Sequence, residues 1–259
     1  MYLKRTFVVL CTVLVLGSAA FVDNIPKCGA KDTDCHRQSF QYVIREGSKT
    51  GIPEANIAPF DPLELKQELN IPIRDIVQLH FGDGVVKGLS KCVINDFVTN
   101  VEQGKASLDI TCNFTVKGHY KANSSSPVIK SLLGGESVHG DGRVKIKIVK
   151  LNLKLDFDFI VDNRNGDTYF KRKGNNIKFK YDVLGQVMFA ADGLYLGDRD
   201  ASELLTNMLN QNWKLVMASV GDDIMKDSMG AVEEFVRNFF ENVPTKYFIT
   251  DDLTPYASN

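Results

Sequence analysis

The sequence predicts an α+β fold in which a highly curved antiparallel β-sheet wraps around a long C-terminal α-helix and encloses an apolar tunnel. Three observations lead there. Roughly 72–197 is dominated by alternating apolar and polar residues, the period of a half-buried strand. The longest of these runs changes phase partway, which calls for a bend. The stretch 201–241 then carries apolar residues at helical spacing, and at about 1.5 Å per residue it reaches about 60 Å. A helix of that length suits a compact domain only if a sheet is laid along it. Where facing side chains leave space between the layers, that space is a channel.

The chain begins like an export signal. Lys4 and Arg5 precede an apolar run over 7–16, and Gly17-Ser18-Ala19-Ala20 supplies small residues for cleavage after Ala20. The run is shorter than the roughly 20 apolar residues needed to cross a bilayer. Residues 1–20 are thus read as a signal peptide, 21–250 as one domain and 251–259 as an exposed tail. The formal charge is -1, and losing two basic residues gives -1 - 2 = -3. That balance argues against nucleic acid or an anionic membrane surface as partner. Apolar or neutral molecules remain.

Helical spacing over 33–49 places Phe40, Val43 and Ile44 on one face, and Gly51-Ile52-Pro53 stops it. An extended lead over 56–62 follows. Residues 85–98 and 105–118 read as strands. A hairpin centred on Glu102 pairs residues whose numbers sum to 204, and Cys92 and Cys112 satisfy that sum. They would face each other within disulfide reach. Counting alone allows three pairings of the four remaining cysteines. Cys28 and Cys35 are favoured as the other pair because they close a short loop. Sequons begin at Asn113 and, in a Ser-rich loop, at Asn123.

Over 143–161 the apolar residues occupy even positions (Val144, Ile146, Ile148), then odd ones (Val149, Leu151, Leu153, Leu155, Phe157, Phe159, Val161). A period-two strand changes phase only through an extra residue, so a β-bulge or bend is predicted near Ile148-Val149. Lys154, Asp156 and Asp158 on the opposite side read as a solvated face. Further strands are predicted over 168–172 and 177–183. In the helical zone, Gly221 and Gly230 mark expected bends.

Several stretches together resemble the insect takeout and juvenile-hormone-binding family. They are Cys28…Cys35, Gly51-Ile52-Pro53, Phe60-Asp61-Pro62-Leu63, Gly88-Leu89-Ser90, the strand over 151–159, Thr168-Tyr169-Phe170, Asn212-Trp213, and 235–248 with Phe239-Phe240 and Val243-Pro244. The resemblance covers nearly all of the mature length. It implies a curved sheet around a long helix (a TULIP-type fold), an internal apolar tunnel and an extracellular carrier of terpenoid hormones or other lipids. The Cys92/Cys112 pair departs from the moth hormone carriers, whose second bridge lies in later strands. That departure favours the broader takeout-like group.

The reading is a secreted, non-enzymatic carrier, in haemolymph or another extracellular fluid, for a terpenoid, fatty acid or quinone. The expected lining is Leu151, Leu153, Leu155, Phe157, Phe159, Phe179, Tyr181, Trp213, Val216 and Val220. Tyr181 and Trp213 stand out because a polar tip can orient a headgroup. No cofactor or metal is expected. The sequence contains no G-x-S-x-G elbow, P-loop or dinucleotide motif, and His36, His80, His119 and His139 read as scattered surface or loop residues. The alternatives are a secreted signalling protein acting through a receptor without a ligand and, more weakly, a hormone-ester hydrolase.

Overall fold

The computed structural model describes residues 20–257, apart from 66–67, 74–76, 125 and 133. The predicted signal sequence lies, except for Ala20, outside the described residues. In chain order the elements are α1 (Thr33–Thr50), β1 (Leu63–Glu64), β2 (Leu69–Ile73), β3 (Val77–Lys87), β4 (Val93–Asn100), β5 (Lys105–Ser124), α2 (Pro127–Leu132), β6 (Val138–Arg164), β7 (Asp167–Val183), β8 (Val187–Ala191), β9 (Leu194–Leu196), β10 (Arg199–Asp200), α3 (Ser202–Gln211) and α4 (Trp213–Asn242).

The strands form one antiparallel sheet built around two long central members, β5 and β6. Each carries several shorter partners along its outer edge. β3 and β4 share the edge of β5, while β7, β8 and β9 follow one another along β6. Strands of 20 and 27 residues stay in one sheet only if they coil, and bulges provide the bends. The predicted bulge falls within a residue or so of its expected place. Register slips where Cys112 opposes Leu151 but Phe114 opposes Ile148. Lys150 takes φ 54 there, and its N–H donates to Asn113 Oδ1 at 2.9 Å. β7 leaves β6 just beyond this point and β8 takes over, so the phase change is also where the edge changes hands.

The hairpin geometry holds by compensation. Asn100 pairs with Lys105 and Phe97 with Leu108, a sum of 205, because the turn is centred half a residue later than expected. An extra residue, Asn95, restores 204 at Val93–Thr111. Cys92 therefore meets Cys112, with a Cα separation of 4.3 Å, and Cys28 is bonded to Cys35 at 5.5 Å.

Four expectations need correction. The run 85–98 is not one strand: a 3-10 turn over Leu89–Lys91 separates β3 from β4. Asp61 fixes that turn, its carboxylate accepting from the N–H of Gly88 at 3.0 Å and of Ser90 at 2.8 Å. Asn123 lies in β5 rather than a loop, opposite Gln78 and His139. The two strands predicted over 168–183 are one, β7, with a bulge. The helical zone is not one helix: it is interrupted at Asn212, and α4 then runs unbroken through Gly221 and Gly230. Asn212 Nδ2 donates to the Met208 carbonyl at 2.8 Å, and its backbone N–H reaches the same oxygen at 3.1 Å, so one residue closes the last turn of α3 twice over.

The end of the chain is tied down as well. Side chains at 251, 252 and 254–256 are exposed. However, Leu253 is buried, Asp251 accepts from the Ala30 N–H, and Ala257 bridges to Val161. Cys28 likewise pairs with Ile249, so both chain ends meet beside the first disulfide.

Candidate ligand-binding site

The core is in two parts. The larger cluster gathers α1, the β4–β5 hairpin, the later halves of β6 and α4, and the segment around Phe248. A smaller one at the other end is centred on Phe81, Tyr120, Leu194 and Leu205. Between them Leu151, Val187, Val220 and Met225 are buried, but other inward residues are less covered. Ile146, Ile148, Leu153, Phe179 and Tyr181 of the sheet, with Trp213, Val216 and Ile224 of α4, are only half-buried.

A cavity of about 20 Å³ lies inside the larger cluster, just above the room one water molecule needs. Seven phenylalanines contribute to its walls: Phe40 from α1, Phe97 from β4, Phe157 and Phe159 from β6, Phe170 from β7, Phe240 from α4, and Phe248. Their rings contact one another at centroid distances such as 4.2 Å for Phe40–Phe97 and 4.6 Å for Phe159–Phe170. Gln41 positions α1 over the hairpin, donating to the Cys92 carbonyl and accepting from the Ile94 N–H, both at 2.9 Å.

One wall is polar. His36 and Ser39 line the cavity at 3% and 2% exposure, and neither His36 Nε2 nor Ser39 Oγ has a hydrogen-bond partner. A buried polar atom left unpaired costs about 1–3 kcal/mol. His36 Nδ1 lies 3.0 Å from Thr99 Oγ1, which fixes the ring. Burial holds its proton affinity below the usual imidazole range. The Gly29 carbonyl opposes this, without making a hydrogen bond of normal geometry to Nε2. The rim is charged: Arg237 and Glu241 reach it, as does Arg172, which is paired with Glu233 at 3.4 Å.

Of the ten residues expected to line a tunnel, Phe157 and Phe159 line this cavity. Leu151, Leu155 and Val220 are buried core, while Leu153 and Phe179 pack half-buried against the larger cluster. Tyr181, Trp213 and Val216 belong to the half-covered band toward the opposite end. The polar tip of Tyr181 is engaged elsewhere, donating to Asp222 Oδ1 at 2.9 Å. Burial and that carboxylate push its pKa up to about 12. Lys154, Asp156 and Asp158 are exposed.

Sequence reasoning missed His36, treating it as a surface residue, and with it Ser39, Phe40, Phe97, Phe170 and Phe248 as cavity residues. A signal was present: His36 lies four residues before Phe40 and seven before Val43, so it continues the buried stripe of α1.

These features define a class: α+β proteins whose curled antiparallel sheet and long C-terminal helix enclose an apolar interior. The chain belongs to the family described as "Haemolymph juvenile hormone binding protein (JHBP)", whose model matches residues 6–250. That is a family of proteins that bind small hydrophobic ligands. No curated protein matches the chain. The crystal structure of Epiphyas postvittana Takeout 1 superimposes with a TM-score of 0.74 at 23% identity, covering 88% of this chain and 100% of that one. It shows the same fold. Lipopolysaccharide binding protein aligns at a TM-score of 0.34 and 14% identity, over 76% of this chain and 39% of its own. Among the described residues no helix is long and apolar enough to cross a membrane.

Proposed function

We propose that this protein is a secreted carrier that holds a small apolar molecule of the terpenoid, fatty-acid or quinone class between its sheet and α4. The observation that carries the reading is the split core: two closed clusters joined by a stretch in which buried side chains (Leu151, Val187, Val220, Met225) alternate with inward apolar ones that stay half-covered. The inner face of β6 forms a track along this band from Phe157 to Ile146, roughly 35 Å at about 3.3 Å per residue. Each Å² of apolar ligand surface buried there gains roughly 25 cal/mol. The aromatic cavity at the end of the track holds far less than the roughly 300–1,000 Å³ of a typical ligand pocket. Occupying it requires the phenylalanine rings to part.

Export is the accompanying proposal, supported by the apolar leader, the two disulfides and the exposed Asn113 and Asn123 sequons. Phe21 suits a mature N-terminus, since Val22 and Ile25 just beyond it are buried. Carriage needs no chemical step, and no catalytic role is assigned to any residue.

Solvent extraction of purified protein followed by mass spectrometry should release an apolar molecule in near-stoichiometric amount. Delipidated protein should then take up a terpenoid, fatty-acid or quinone probe. An Ala106→Trp chain, with its cavity wall filled, should take up less. A delipidated wild-type chain that loads none of the three classes would overturn the carrier reading.

A further inference from the structure

We propose that His36 and Ser39 anchor an uncharged oxygen function, such as an ester, ketone, quinone carbonyl, epoxide or alcohol, at one end of an otherwise hydrocarbon ligand. The proposal rests on the carrier reading and gives that ligand a polar end and an orientation. Among the described residues three buried side-chain polar atoms lack a partner, and two of them, His36 Nε2 and Ser39 Oγ, sit on one cavity's wall. Folded proteins pair the large majority of such atoms. An orphan facing a cavity is one that an incoming molecule can pair. Positions 36 and 39 are three apart on α1 and share a face, so a single ligand atom can meet both.

Thr99 sets what the pair can read. With its hydroxyl donating to Nδ1, the ring proton sits on Nε2, where the Gly29 carbonyl is the neighbour an incoming oxygen would share it with; in the other tautomer Nε2 accepts. The Ser39 hydroxyl turns to donate or accept. Two donors suit a carbonyl, ester or epoxide oxygen, and one donor with one acceptor suits an alcohol. A carboxylate fits poorly at this depth, because it would be stripped of water among phenylalanines. The arginines stand at the rim, Arg172 already paired with Glu233 and Arg237 exposed. An acid would therefore bind with its head at the rim and its tail inward.

The test uses four probes of one chain length: tetradecane, methyl tetradecanoate, tetradecan-1-ol and tetradecanoate. Each competes for delipidated full-length mature protein against a fluorescent naphthylamine. The ester and alcohol should bind roughly tenfold tighter than the hydrocarbon, one net hydrogen bond's worth. His36→Phe and Ser39→Ala should each shrink that ratio, while His36→Gln, which keeps a donor, should retain part of it. If His36→Phe does not fold, Ser39→Ala and His36→Gln carry the test. Equal wild-type affinity for hydrocarbon and ester overturns the anchor but leaves carriage standing, as does a ratio untouched by the variants. Tightest binding of tetradecanoate, lost in Arg237→Gln, moves the polar end to the rim and also overturns it. Displacement by none of the four removes the carrier reading together with the anchor.

Discussion

Burial lowers the proton affinity of His36, while the Gly29 carbonyl and the carboxylates of Asp32 and Asp251 work the other way. Arg172, Arg237 and Glu241 face the same cavity. The folded chain thus keeps this ring neutral to a lower pH than the unfolded chain, whose imidazole titrates near 6.5. Below that value the unfolded state takes up a proton that the folded state refuses. The contribution to stability is therefore whole above about pH 6.5 and is lost as pH falls toward the folded value. Urea unfolding at pH 7.5 and 5.5 should show the wild type losing more stability across the interval than His36→Gln. Equal losses would show that the buried ring does not carry the difference. His80, His119 and His139 remain in both chains, so the comparison isolates one residue.

At the scale of elements, the two glycines of α4 make opposite predictions. A Cβ on Gly230 meets nothing within 4 Å, whereas one on Gly221 would lie 2.4 Å from Tyr181 Oη. Alanine improves a helix by about 1 kcal/mol over glycine. Gly230→Ala should therefore stabilise by about that amount, and Gly221→Ala should not, because the Tyr181 ring and its bond to Asp222 must shift. In a Tyr181→Phe background Gly221→Ala should recover the gain, a coupling that a double-mutant cycle of melting curves measures. Additive effects would show that the close approach is not what requires glycine.

The same two residues show what a one-dimensional pattern contains. Periodicity located the bulge near 149 because a phase change is written along the chain itself. It could not show that Gly221 makes room for a side chain forty residues earlier. Asn212 was passed over for a like reason: the Met208 carbonyl that it caps is visible only once α3 has formed. The cavity was legible in part. Phe157 and Phe159 follow from strand alternation, whereas His36, Ser39, Phe97 and Phe248 meet only because the hairpin and both chain ends converge on α1.

For the whole molecule, the split core makes stability a readout of occupancy. The larger cluster is fastened by the Cys92–Cys112 bridge, which joins neighbouring strands inside it, and the Cys28–Cys35 loop lies beside it. The smaller cluster has no bridge. The band between them has apolar groups facing one another without full cover, so a ligand there should act as missing core. A molecule bound only by the folded state stabilises it by about 2.7 kcal/mol at a hundredfold excess over Kd. For a chain of this size that corresponds to a rise of about 5–10 °C in melting temperature. The location of the change is the sharper test. Hydrogen exchange should slow on loading in β6 around Ile146–Leu153, in β7 around Phe179–Val183 and in the first half of α4. Amides of Tyr120 and Leu194 in the smaller cluster should change little, since their side chains are already covered. Protection spread evenly over the chain would mean that the ligand raises global stability from elsewhere, and a melting temperature unmoved by a bound probe would place that probe on the surface.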